Sequence, residues 1–243
     1  MRRALLAIAC VCLAAWAGTA EARGRHPASG GRHARPVVVE LFTSQGCSVC
    51  IAADKVVDQL ADEPDVLALT FSVDYWDDLG WSDTFAKPEF SARQKAYEQT
   101  LALRDLYTPQ IVVDGRGQVA GAETKRVEAL IRKIQQDGLQ GPRMRLRRTR
   151  LTVGSGRRPP GGAEVWLVRY DPSVQKVAVK RGETRGQIIQ ERNVVRQLVR
   201  LGPWSGRQKS YAIPADGPAP AGLKTAILLQ AGKGGRILAV LQR

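Results

Sequence analysis

The chain has 243 residues, 44% of them hydrophobic, and this length allows two domains that each bury a core of their own. The formal net charge of +14 favours anionic partners. The cysteines and histidines argue against a four-ligand zinc site, because Cys10 and Cys12 lie in an N-terminal leader and the only histidines, His26 and His33, lie in a low-complexity segment.

The N-terminus has the pattern of a secretory signal peptide. Arg2 and Arg3 precede an apolar run over residues 4–17, and Ala22 ends an A-x-A cleavage motif. We therefore predict a signal peptide over residues 1–22 and a periplasmic or secreted mature chain without a transmembrane span. In that location nucleic acid is not an expected partner, and disulfides persist.

Residues 23–36 are rich in Gly, Arg and Pro and contain almost nothing to bury. This composition predicts a disordered basic arm.

A C-x-x-C motif follows the first predicted strand. The β-favouring run over residues 37–42 leads through a short polar turn to Cys47 and Cys50, at a predicted helix start. A strand that delivers C-x-x-C to a helix N-terminus is typical of thioredoxin-like redox proteins. We predict Cys47 as the nucleophile and Cys50 as the resolving thiol, with no metal or other cofactor. The alternative is a purely structural disulfide.

The remaining pattern up to residue 138 predicts helix, strand, helix, two hairpin strands and helix. This order predicts an α/β thioredoxin-like domain over residues 37–138. Thr108 and Pro109 precede the third strand, where that fold places a cis-proline beside its cysteines. We therefore predict both residues as substrate-binding, against the alternative of an ordinary strand-edge proline.

Three further side chains have two interpretations each. Glu40 lies in a strand that is apolar on both sides, and it is either a buried proton relay for the cysteines or the partner of a nearby base. Trp76 and Trp81 either form one wall of a substrate groove or cover the core.

Several segments resemble a secreted bacterial family known as domain of unknown function 1223. They are ELFTSQGCSVC, the YWDDLGW loop, ARQKAY, YTPQIVVDG and RGETRGQIIQERNVVRQLVRLGPW. The resemblance implies a thioredoxin-like fold whose biochemical role is not established. This chain departs from the family pattern after the second cysteine, where Ile51 and Ala52 replace two usual prolines.

The second half of the chain has a different composition. Short alternating runs separated by Gly- and Pro-rich turns predict a β-rich, sandwich- or barrel-like domain over residues 143–243. Residues 37–138 contain 10 Lys and Arg against 17 Asp and Glu, whereas residues 139–243 contain 21 against 5. The basic excess indicates either binding to anionic envelope components or mere compositional bias.

The predicted function is that of an exported thiol–disulfide oxidoreductase-like protein that acts on protein thiols or disulfides. The alternative is a non-catalytic envelope binding protein. In that case the Cys47–Cys50 disulfide is structural, and the basic β domain binds anionic partners. The sequence leaves open whether the protein is an enzyme.

Overall fold

The computed structural model describes residues 35–138, 140–214 and 222–243. The predicted signal peptide and nearly all of the predicted arm lie outside these ranges. Arg35, at the end of the arm, donates to both carboxylate oxygens of Asp114 at 2.7 and 2.8 Å, so the described chain begins at a buried ion pair.

The described residues form thirteen strands, three α-helices and a short 3₁₀-helix. The helices are α1 (Cys50–Leu60), α2 (Pro88–Thr100), α3 (Thr124–Gln136) and the 3₁₀-helix Asp77–Leu79. The strands are β1 (Val37–Thr43), β2 (Val66–Ser72), β3 (Gln110–Val113), β4 (Gly117–Ala120), β5 (Met144–Arg147), β6 (Arg150–Val153), β7 (Ala163–Asp171), β8 (Gln175–Ala178), β9 (Ile188–Glu191), β10 (Val194–Trp204), β11 (Lys209–Ala212), β12 (Lys224–Ala231) and β13 (Ile237–Gln242).

Eight of these strands form one mixed sheet in the order β13-β12-β7-β10-β2-β1-β3-β4. β1 and β2 are parallel, and β3 runs antiparallel to β1. β10 joins the two halves of the sheet, because it pairs with β2 at Val194 and Thr70 and with β7 along most of its length.

The predicted fold class is therefore wrong. The elements of residues 37–138 occur in the predicted order, but they are not a thioredoxin-like domain followed by a separate β domain. Strands from the C-terminal half extend the same sheet, and the molecule is mostly β. The reason is physical: β2 is buried on both faces, and at its edge opposite β1 the Thr70 amide finds its partner in Asn193 O, 3.1 Å away, at the start of β10.

The hydrophobic cores also cross the predicted domain boundary. On one face of the sheet, Phe42 and Phe71 pack with Phe90 and Tyr97 of α2, and the same cluster continues into Tyr170 and Leu228. On the other face of β1, alternate residues pack against α1 and α3. The periodic stripe of α3, which includes Val127, Ile131 and Ile134, is buried there as its spacing predicts.

Two smaller sheets complete the structure. β11, β6 and β5 form a three-stranded sheet that packs on β7 and β12 through Leu151, Val153 and Tyr211. β8 and β9 form a separate two-stranded hairpin. We call residues 175–191 the cap hairpin, because the loop between its strands lies over the turn that carries the cysteines.

Candidate functional site

The two cysteines form a disulfide at the carboxyl end of β1. The sulfur atoms are 2.04 Å apart and the Cα atoms 5.3 Å apart. Cys50 is the first residue of α1, whereas Cys47 lies in the preceding turn, where its amide donates to Ser44 O at 3.0 Å. Cys47 thus stands just before the helix rather than within its first turn. The first turn of α1 contains no acidic residue, so the positive end of the helix dipole remains available to a thiolate.

Thr108 and Pro109 lie beside this pair. The Thr108 hydroxyl donates to Cys47 Sγ at 3.5 Å, and the Thr108–Pro109 peptide bond is cis. β3 follows directly and pairs with β1, which explains how residues 61 positions apart meet. Of the four residues predicted to bind substrate, the structure therefore brings Thr108 into contact with the disulfide, with Pro109 next to it in the chain.

Gln45 organises the turn before Cys47. The backbone amide nitrogen of Gln45 donates to Asp83 Oδ2 at 2.7 Å. Its side-chain amide donates to Glu191 Oε2 at 3.1 Å and accepts from Trp81 Nε1 at 3.1 Å. The carbonyl oxygen of Gln45 accepts from the Thr184 hydroxyl at 2.7 Å. Gln45, a single buried residue, thus connects the cysteine turn to the loop that carries Trp81 and to the cap hairpin.

The cap hairpin is bonded to the cysteine turn on both sides of Cys47. Thr184, fully buried, donates to the carbonyl of Gln45, two positions before Cys47, and Glu183 accepts from the hydroxyl of Ser48, the residue after Cys47, at 2.5 Å. Cys47 is 1% exposed and Cys50 is fully buried. Thiol–disulfide exchange requires an attacking sulfur to approach along the S–S bond, so residues around the pair must move aside for a protein thiol to react.

Three buried carboxyl groups lie beneath this turn. Asp54 is on the helical turn that follows Cys50 and accepts from the Thr43 hydroxyl at 3.3 Å. Burial, reinforced by the nearby Glu191 charge, raises the pKa of Asp54 well above its ordinary value. Burial raises the pKa of Glu191 to about 8, with a further contribution from Asp83. Burial likewise raises the pKa of Asp83.

An open groove of about 330 Å³ reaches two of these carboxyl groups. It runs between α1 and the cap hairpin, and it is lined by Ile51, Asp54, Ile188 and Glu191, among others. Ile188 is 63% exposed. The groove gives the acids beside Cys50 a path to solvent and offers apolar contact area next to the disulfide.

Glu40 lies on the face of β1 that is covered by α2. Its Oε1 atom accepts from Arg93 Nη2 at 2.7 Å and from Arg93 Nε at 3.0 Å, and both side chains are buried. Arg93 also donates to Gln230 Oε1 at 3.1 Å. The pairing with a base, one of the two interpretations of Glu40, is present in the structure, and the pair helps to connect α2 with β12.

Trp76 and Trp81 both approach the turn before Cys47. A Cβ atom placed on Gly46 would lie 3.8 Å from Trp76 Cε3 and 3.9 Å from the Trp81 carbonyl oxygen. Trp76 also packs on the main core, and Trp81 donates to Gln45. Both residues are half-buried, so each has one part in the core or its polar network and one part facing solvent.

Sequence reasoning missed Asp54, Glu191 and the cap hairpin. Asp54 carried a usable signal, because its i, i+4 spacing from Cys50 places both side chains on one helical face. Glu191 carried none, since it lies 137 positions beyond Asp54 and only long-range packing brings the two together. Within the described ranges, no group of three His, Cys, Asp or Glu side chains is arranged to bind a metal ion.

Residues 38–230 match the sequence profile of the family described as "Protein of unknown function (DUF1223)". The chain belongs to this family. No curated protein matches it. The matched range of this DUF1223 protein contains the cysteine turn, Thr108 and the cap hairpin, so the family unit includes both the disulfide and the loop that covers it.

Two solved structures resemble this DUF1223 protein. Protein AGR_C_4864 from Agrobacterium tumefaciens has a TM-score of 0.68 and 28% identity, over 86% of this chain and 94% of the other. HBP35 of Porphyromonas gingivalis has a TM-score of 0.58 and 12% identity, over 86% of this chain and 74% of the other, which indicates similarity of fold alone. Over the described ranges of the DUF1223 chain, none of the helices has the length and apolar run that a bilayer crossing needs.

Proposed function

We propose that this protein is an exported thiol–disulfide exchange protein in which Cys47 forms the mixed disulfide and Cys50 resolves it. The observation that carries the proposal is the hydrogen bond from the Thr108 hydroxyl to the Cys47 sulfur atom. The surroundings of Cys47 add to it, because α1 begins three residues later and the contacts of Gln45 hold the turn before it. A disulfide that only holds two chain segments together does not need such surroundings.

The spacing of the cysteines also supports exchange. A bond between residues three positions apart closes a very small ring. In the chain-entropy relation such a ring stabilises a fold by about 2 kcal/mol, compared with about 3 kcal/mol for a 15-residue loop. The small ring therefore stabilises the fold less than a disulfide that closes a longer loop, which is compatible with a reactive role.

In the proposed reaction, a substrate thiol reduces the Cys47–Cys50 disulfide in two steps. A substrate thiolate attacks Cys47 Sγ, the Cys47–Cys50 bond breaks, and Cys50 leaves as a thiolate that requires a proton. Asp54, on the next helical turn, is the group placed to supply this proton, because burial raises the pKa of its carboxyl well above the ordinary value. A second substrate thiol then releases Cys47, so that two electrons pass from the substrate to the cysteine pair. The reverse sequence oxidises the pair.

Localisation outside the cytoplasm is part of the proposal. The signal-peptide pattern of residues 1–22 supports export. The environment outside the cytoplasm is also the one in which a disulfide persists.

A second candidate function is a non-catalytic envelope binding protein with a structural disulfide. The observation that favours it is the burial of both cysteines, at 1% and 0% exposure. A buried structural disulfide is chemically inert, whereas a covered reactive one becomes accessible when its cover opens.

The experiment that distinguishes the two is trapping of mixed disulfides by the Cys50→Ser variant. Without the resolving thiol, Cys47 should remain covalently bound to substrate proteins in the envelope fraction. The Cys47→Ser/Cys50→Ser double variant is the matched control. Adducts that are released by a reductant and absent from the control support exchange, whereas equal adduct levels in both variants refute it and favour the structural disulfide.

A further inference from the structure

The outer face of the three-stranded sheet is lined with arginine. Across the paired strands, Arg145 lies opposite Thr152, and Arg147 lies opposite Arg150. Residues directly opposite each other share one face of a sheet, and on this face all three arginines are exposed. The other face of the same strands is buried against β7 and β12.

These arginines have no counter-charge among the described residues. No described carboxylate lies within 4.0 Å of Arg145, Arg147 or Arg150, whereas Arg192 and Arg200, elsewhere in the same half, bind Asp62 and Glu164 at 2.6 Å. Like charges directly opposite each other destabilise a strand pair. The Arg147–Arg150 pair therefore reduces stability unless an anion binds there.

The arginines line a groove. It has a volume of about 680 Å³, and Arg143, Thr152 and Ser155 contribute to its walls with the three arginines of the sheet. Guanidinium groups bind phosphate oxygens through two parallel N–H bonds, and neighbouring hydroxyl groups add neutral donors. Arg143, Arg145 and Arg147 recur at every second position, so their side chains follow one another along one face of the strand, and such a row is suited to an extended anion.

The residues around the groove argue against two classes of anionic partner, lipid bilayers and nucleic acids. The exposed large hydrophobic residues of the described chain all lie elsewhere: Val49, Tyr75, Leu79, Val174 and Ile188. The groove therefore has no residue to insert into a bilayer. The aromatic residues of this region, Trp204 and Tyr211, are buried and offer no surface on which bases could stack.

We infer that this arginine groove binds a linear polymer of phosphate groups other than nucleic acid, through the charges along the polymer backbone. The inference is independent of the cysteine chemistry, because it concerns a different sheet and makes no use of the disulfide.

The test measures binding of fluorescent inorganic polyphosphate by the mature protein between about 50 and 200 mM salt. If Arg143 and the three arginines of the sheet each displace counterions as in single-strand binding, the affinity for polyphosphate should fall about 50-fold between these two salt concentrations. The triple variant Arg145→Gln/Arg147→Gln/Arg150→Gln retains only Arg143 in the groove, so its affinity should fall only about threefold over the same range. The corresponding triple Lys variant should keep the steep salt dependence, with weaker binding at each salt concentration.

The control variant removes three positive charges from exposed positions outside the groove: Lys95→Gln/Arg104→Gln/Lys125→Gln. Retained polyphosphate binding by this control, with loss in the groove variant, supports the inference. An equal loss in both variants overturns it, because net charge alone would then explain binding. Circular dichroism of each variant confirms that it is folded.

Competitors test the chemical class of the ligand. Polyglutamate, anionic phospholipid vesicles and single-stranded DNA should each displace polyphosphate less effectively than unlabelled polyphosphate. Stronger displacement by vesicles or DNA would overturn the inference in favour of a membrane or nucleic-acid partner. Equal displacement by polyglutamate would overturn the role of phosphate.

Discussion

The buried carboxyl of Glu191 should make the stability of the oxidised protein depend on pH, and Glu191→Gln should remove much of this dependence. The pKa of Glu191 is raised from 4.5 to about 8, mainly by burial and then by the Asp83 charge, while bonds from Gln45 and Ser72 and the charge of Arg196 lower it. Glutamine has nearly the same shape and can still accept from Gln45, so the substitution removes the ionisation rather than the contacts.

The sign and size follow from proton linkage. Below pH 4.5 the Glu191 carboxyl is protonated in both the folded and the unfolded protein, and its contribution to the free energy of unfolding is fully retained. Between 4.5 and about 8 the folded state keeps a proton that the unfolded state has lost, so stability falls as pH rises. Each pH unit in this window costs about 1.4 kcal/mol, and the whole interval corresponds to about 5 kcal/mol.

The assay is urea denaturation of the oxidised wild type and variant at several pH values from 5 to 8. The two proteins should have similar free energies of unfolding near pH 5, and the variant should become the more stable one as pH rises. Glu183→Gln, an exposed change in the same hairpin, should follow the wild type. If the curves of wild type and Glu191→Gln stay parallel over the whole range, Glu191 is not a buried neutral acid and the reasoning fails.

Two further predictions concern the contacts of the site and the core. Thr184→Val removes the hydrogen bond to the Gln45 carbonyl, so the cap hairpin should open more often. Dithiothreitol should then reduce the disulfide about fivefold faster, because a lost bond of about 1 kcal/mol implies that factor. The control Thr225→Val should not change this rate. Glu40→Gln leaves Arg93 buried without a full counter-charge and should lower the free energy of unfolding by about 3 to 5 kcal/mol. The double variant Glu40→Gln/Arg93→Met should recover part of this loss in urea denaturation, and no recovery would contradict the ion-pair explanation.

The sequence predicts the local structure of the site well. The apolar run before Cys47, the polar turn and the helix after Cys50 are determined by neighbouring residues, and they occur as predicted. Pro109 is likewise recognisable as a residue that precedes a strand. These features depend on local periodicity and turn chemistry, which a single sequence contains.

The fold class depends on distant pairings that no local pattern contains. β10 pairs with β2 across more than 120 positions, and its residues fit a helical face as well as a strand in the sequence alone. The burial of Glu191 arises from the same long-range packing, since β9 lies against α1. For this reason the bond from Thr184 to the Gln45 carbonyl, two residues before Cys47, could not be deduced from the neighbours of either residue.

The reduction potential of the Cys47–Cys50 pair tests the central claim most directly. It can be measured on the mature protein by equilibration with glutathione or dithiothreitol buffers, with separation of the alkylated forms. A working exchange protein should have a potential between about −270 and −120 mV, the range of known thiol–disulfide oxidoreductases. A value below about −300 mV, typical of structural disulfides, would contradict the proposed function.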